Sequence, residues 1–119
     1  MHRISVGIGS NLGDRQSNIL SALQRLRARA NVLTVSAFYE SDATQGAQGP
    51  AFLNVAAVLE TSLDAQGFER FAHHVQTSVG RTAMQRLSAR PIDIDVLVVD
   101  GRVVKADLAA RGFNVVPLA

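Results

Sequence analysis

Ile4, Val6 and Ile8 alternate with Ser5 and Gly7 at the start of the chain, a period of two that predicts a half-buried strand. Gly9-Ser10-Asn11-Leu12-Gly13-Asp14 follows and reads as a glycine loop that breaks it. The spacing of Ile19, Leu20, Leu23, Leu26 and Ala30 then predicts a helix, with Asp14 near its start, where a carboxylate complements exposed N–H groups, and Asn31 at its end. Val32 to Glu40, rich in Val, Thr, Phe and Tyr, predicts a second strand. A polar loop with Gly46 and Gly49 leads to Phe52–Thr61, a nearly continuous apolar run expected of a central strand, interrupted by Asn54. A second helix is predicted from Asp64 to Val79, with Phe68, Phe71, Ala72, Val75 and Val79 on one side and Gly67 weakening its first turn. After a loop over 80–89, a strand containing Asp93 and Asp95 extends to Val99. There Asp100-Gly101 signals a type I′ hairpin into Arg102-Val103-Val104. Gly112 to Pro117 leaves room for one more short strand. The order strand, helix, strand, strand, helix, strand is the βαββαβ arrangement, so the expectation is an α+β, ferredoxin-like single domain over residues 1–119, with helices packed on a mainly antiparallel sheet.

Composition narrows the chemistry. The chain has no cysteine, which excludes a disulfide framework, a thiolate nucleophile and a thiolate zinc site. Eleven arginines and one lysine against ten acids give a net charge of +2, and the arginines are scattered instead of gathered into a nucleic-acid footprint. Met1-His2-Arg3-Ile4 runs straight into a strand pattern, and no apolar segment approaches bilayer length. The expectation is a cytoplasmic protein that engages small molecules, without nucleic acid or membrane as partner; its oligomeric state is not legible.

The densest signal is Arg90-Pro91-Ile92-Asp93-Ile94-Asp95-Val96-Leu97. Alternate residues of a strand share a face, so the two carboxylates project together, with Cα atoms about 6.5 to 7 Å apart. Like charges so placed repel unless a cation lies between them, and hard oxygen donors suit Mg²⁺. The plainer reading is a solvated strand start. Arg81, Arg86 and Arg90 lie in or beside the loop leading to the pair, an arrangement suited to a polyphosphate held by metal on one side and guanidinium on the other, or to local charge balance alone. Asn54 within an apolar strand must satisfy an amide, by a ligand or by a neighbouring loop. Phe52 shares its face, and a ring beside an amide can stack on and bond a flat heterocycle. Gly7-x-Gly9-x-x-x-Gly13 has the wrong spacing for a dinucleotide fingerprint and reads as a tight turn. His73 and His74 lack partners at metal spacing, which leaves one of them facing the core or a solvated helix edge.

In order and spacing, Gly9-Ser10-Asn11-Leu12-Gly13-Asp14-Arg15, Val35-Ser36 through Tyr39-Glu40-Ser41, Phe52-Leu53-Asn54-Val55, Leu59-Glu60-Thr61-Ser62-Leu63, Gly80-Arg81, the Arg90 to Leu97 run and Arg111-Gly112-Phe113 resemble the 6-hydroxymethyl-7,8-dihydropterin pyrophosphokinase family of folate synthesis. The resemblance implies a ferredoxin-like fold and Mg²⁺-dependent transfer of a pyrophosphoryl group from ATP to the pterin hydroxymethyl oxygen. By position it implies that Asp93 and Asp95 hold two Mg²⁺, that Arg81 and Arg90 contact the ATP phosphates as catalytic groups, and that Arg111 assists. It also implies that the pterin lies between Phe52 and Phe113, its edge read by Asn54 and by Ser41, Asp42 and Ala43. The chain departs from the family pattern in four places. Asp42 and Ala43 replace paired prolines, Ala83 stands for a second loop arginine, approximately Leu87 for a tryptophan, and Lys105 to Ala110 bypasses a Val-Pro-His segment. Those departures also fit a divergent enzyme or a non-catalytic pterin-binding paralogue.

Overall fold

The computed structural model describes residues 1–41, 51–79 and 92–104. Its elements are β1 (His2–Ser10), α1 (Arg15–Leu26), β2 (Asn31–Val35), β3 (Tyr39–Ser41), β4 (Phe52–Thr61), α2 (Ala65–Val79), β5 (Asp93–Val99) and β6 (Arg102–Val103). The strands form one antiparallel sheet in the order β2-β4-β1-β5-β6, with β3 also paired to β4. With β2 and β3 taken as one interrupted strand, this is the ferredoxin-like order. The crossing helices arise because β1 and β4 each connect to a strand that is not their neighbour.

One face of the sheet makes the core. Ile4, Val6 and Ile8 of β1, Val55, Ala57 and Leu59 of β4, and Ile94 and Val96 of β5 are buried against Ile19, Ala22, Leu23 and Leu26 of α1 and Phe68, Ala72 and Val75 of α2. Phe68 is fully buried and meets Phe71 edge-on, ring centroids 6.2 Å apart. Both helices open on an aspartate cap: Asp14 Oδ1 accepts from Ser17 N at 3.0 Å, and Asp64 Oδ1 from Gly67 N at 2.8 Å. Among the described residues no helix is long and apolar enough to cross a membrane.

Three expectations change. The predicted strand Val32 to Glu40 is two strands, because at Ser36 a side chain enters the ladder: Ser36 Oγ accepts from Ala56 N at 2.8 Å while Ser36 N donates to Ala56 O at 2.8 Å. Leu20 is exposed, and Ala22 takes its place on the buried stripe; α1 ends at Leu26, ahead of Ala30 and Asn31. β1 continues to Ser10, so Gly7 and Gly9 are strand residues and the turn belongs to Gly13, whose φ is 72°. His73 and His74 are both exposed, which is the solvated helix edge, the second of the two placements that the sequence left open.

The Asp100-Gly101 turn has φ 49° and 83°, the paired positive values of a type I′ hairpin. It is tied to the start of β1: Asp100 N donates to Arg3 O and Arg3 N to Asp100 Oδ1, both at 2.8 Å, while His2 Nδ1 lies 2.6 Å from Asp100 Oδ2. The His2 hydrogen bond first, and the Arg3 N–H second, hold the Asp100 carboxyl below its ordinary 3.8. A lowered folded-state value means the contribution is fully present above the unfolded value and is lost as pH falls through the folded one. Asp100→Asn, which keeps a residue tolerant of positive φ, should therefore melt below wild type near neutrality. The gap should close as pH drops below about 3.8, in thermal scans across that range.

Candidate functional site

The face of the sheet away from the helices is built from rows that cross several strands. Directly paired residues of antiparallel strands project to the same side. Tyr39 pairs with Asn54, Asn54 with Gly9, and Gly9 with Asp93; in the next row Ala56 pairs with Gly7 and Gly7 with Asp95. The middle strand thus contributes two glycines where side chains would otherwise stand. The result is a bare strip of β1 flanked by Phe52 and Asn54 on one side and by both aspartates on the other. At the usual interstrand spacing, Asn54 and Asp93 lie about 10 Å apart across it.

Gly9 is needed for that shape. A Cβ there would sit 2.7 Å from Asn54 Oδ1 and 3.3 Å from Phe52 Cδ1, whereas one at Gly7 would meet only Leu97 Cδ1 at 3.5 Å. The Asn54 amide is oriented from β3, its Nδ2 donating to Ser41 Oγ at 2.9 Å and to Tyr39 O at 3.3 Å. This fixes the carbonyl end of the amide against Gly9. Burial of the neighbouring Tyr39 pushes its phenol above the ordinary 10.0, so it stays neutral and available as a hydrogen-bonding group.

On the other side, Asp93 and Asp95 are half-buried and share the face, as the alternation predicts. No group of three or more His, Cys, Asp or Glu that could hold a metal occurs among the described residues. Two carboxylates on one face could hold Mg²⁺, an ion that keeps waters and takes phosphate oxygens to complete its shell. A cavity of about 350 Å³ lies along the outer edge of β5, lined by both aspartates and by Glu69, His73 and Gln76 of α2. Gln76 is buried and its Oε1 accepts from Ile94 N at 2.7 Å, which satisfies part of the strand edge that β6, paired only to Val98 and Val99, does not reach.

The family model for 7,8-dihydro-6-hydroxymethylpterin-pyrophosphokinase (HPPK) matches residues 5–119. The chain belongs to the HPPK family. Its relatives include the 2-amino-4-hydroxy-6-hydroxymethyldihydropteridine pyrophosphokinase of Methylorubrum extorquens, 31% identical over 129 residues that cover 100% of this chain and 82% of that protein. The protein of the same name from Porphyromonas gingivalis is 36% identical over 100 residues, 80% of this chain and 67% of the relative. A folic acid synthesis protein of Dictyostelium discoideum is 31% identical over 104 residues, 87% of this chain but only 16% of that much longer protein.

Of the residues singled out from sequence, the structure brings together Ser41, Phe52 and Asn54, and across Gly9 it adds Asp93 and Asp95. Asp42, Ala43, Arg81, Arg90, Arg111 and Phe113 lie outside the described residues, as do the loop over 80–89 and the possible strand near Gly112. Sequence reasoning did not single out Gly9, which the structure sets against Asn54 and Phe52, or Gln76, which lines the cavity along β5. A signal for Gln76 was present, since it falls on the apolar stripe four residues after Ala72 and eight after Phe68.

Proposed function

We propose that this chain transfers the pyrophosphoryl group of ATP to the hydroxymethyl oxygen of 6-hydroxymethyl-7,8-dihydropterin, giving AMP and the pterin diphosphate. The observation that carries the reading is the row Asn54–Gly9–Asp93, which sets a ring-and-amide surface and a carboxylate pair on either side of one bare strand. Family membership supports the same chemistry.

In this reading the pterin lies on Phe52, with Asn54 and Ser41 meeting its edge, joined by the backbone of Asp42 and Ala43 and covered by Phe113. The polyphosphate lies toward Asp93 and Asp95, and the cavity along β5 takes the rest of the nucleotide. Arg81 and Arg90 neutralise the phosphates and Arg111 assists them. Asp93 and Asp95 would hold Mg²⁺, two ions in the full assembly, and the metal would supply positive charge to offset that of the phosphates and of leaving AMP. The chain's own contribution is placement: the pterin oxygen and the β-phosphorus meet over β1, where no side chain intervenes, for in-line displacement.

Transfer of β- and γ-phosphates together distinguishes this from ordinary kinase chemistry. With ATP labelled at the β-phosphorus, the label should appear on the pterin; label retained in ADP would overturn the reading. Asn54→Ala should weaken pterin binding by about 1 to 3 kcal/mol, since it removes an edge contact and the link to Ser41, with nucleotide binding nearly unchanged. Calorimetric titration checks both, and equal losses for the two ligands would mean that Asn54 serves the sheet alone.

A further inference from the structure

We infer that Arg15 is a positioning residue for the pterin side of the site, an inference that rests on the proposed reading of Ser41, Phe52 and Asn54. Arg15 is the first residue of α1, and its guanidinium reaches two backbone stretches at once. Nη2 lies 2.7 Å from Glu40 Oε2, and Nη1 donates to Ala51 O at 2.9 Å. Glu40 immediately precedes Ser41, and Ala51 immediately precedes Phe52. Ser41 and Phe52 are themselves the terminal pair of the β3–β4 ladder.

That ladder end needs support. Among the described residues β3 is three residues long and pairs with β4 alone, so its own hydrogen bonds leave it at the low end of local stability. Two ties hold it, from opposite sides. On the site face Asn54 Nδ2 bonds Tyr39 O and Ser41 Oγ. Glu40, between them in sequence, projects to the helix side, where Arg15 takes it. A planar guanidinium can donate to a carboxylate and a carbonyl simultaneously, and a lysine ammonium offers no such fork.

Exposure decides what the tie contributes. The Arg15 and Glu40 side chains are 31% and 59% exposed, and pairs this wet add little to global stability. Its effect is therefore local, on where Ser41 and Phe52 stand relative to Asn54. Loss of Arg15 should change pterin affinity more than it changes melting.

The test uses Arg15→Gln, Arg15→Lys and Glu40→Gln in the full chain. Arg15→Gln should raise the pterin Kd about tenfold, with Arg15→Lys and Glu40→Gln intermediate, while Mg²⁺-nucleotide affinity without pterin and the melting temperature stay near wild type. Backbone amides of 39–41 and 52–54 should exchange with deuterium faster in Arg15→Gln without any ligand. Unchanged pterin affinity, or a parallel loss of pterin and nucleotide binding with lowered melting, would overturn the inference. If wild type itself binds no pterin, the reading of the site fails, and the exchange comparison still decides the tether: faster exchange supports it, unchanged exchange removes it.

Discussion

Replacing Asp93 or Asp95 by asparagine should cut Mg²⁺-dependent turnover by on the order of a thousandfold or more, with little change in melting temperature or circular dichroism. Each substitution removes one of two hard anionic donors on a face of the sheet turned away from the core, and relieves the repulsion between carboxylates on alternate residues of β5. The shape is nearly conserved, so activity and folding separate. Asp14→Asn is a useful control, because it removes a carboxylate at the α1 cap, where asparagine serves as well as aspartate. It should leave turnover intact. Near-normal activity of both strand variants at low Mg²⁺ would exclude the metal role.

Gly9→Ala should weaken pterin binding by roughly ten- to a hundredfold while leaving nucleotide affinity unchanged. Its new methyl would stand 2.7 Å from Asn54 Oδ1 and 3.3 Å from Phe52 Cδ1, so both must give way, and both are the groups assigned to the ring. Gly9 does not have positive φ, so no backbone strain accompanies the change, and a strand glycine replaced by alanine tends to gain stability through the unfolded state. Affinity should fall without a matching fall in melting temperature. Gly7→Ala, whose methyl meets only Leu97 at an ordinary 3.5 Å, should have a smaller effect. Equal behaviour of the two variants in pterin titration would show that space over Gly9 is not what the ligand needs.

How far the sequence carried depended on the range of each interaction. β4, α2 and the type I′ turn announce themselves through local periodicity and local turn chemistry, and their positions agree closely with the structure. The pairing of Asp93 and Asp95 on one face follows from strand alternation alone. The break between β2 and β3 does not, because Ser36 bonds to Ala56, twenty residues away, and nothing near Ser36 in sequence reveals it. Gly9 looks like a loop glycine from its neighbours. Its function depends on register with Asn54 and Asp93, which belong to two different strands. Arg15 reads as an unremarked helix-start arginine until Glu40 and Ala51 are placed beside it. Leu20 fits the apolar spacing yet faces solvent, since two helices cover the sheet and the α1 stripe needed is narrower than the sequence offers.

If the two sides of the bare β1 strip form one pyrophosphoryl-transfer site, the release of AMP must depend on both the pterin and Mg²⁺. ATP incubated with the protein and Mg²⁺ should give AMP only when 6-hydroxymethyl-7,8-dihydropterin is present, one AMP for each pterin diphosphate, and none once Mg²⁺ is chelated. Pterin that binds at equilibrium without any AMP forming on long incubation at millimolar Mg²⁺-ATP would contradict the claim and assign the chain to a non-catalytic pterin-binding role.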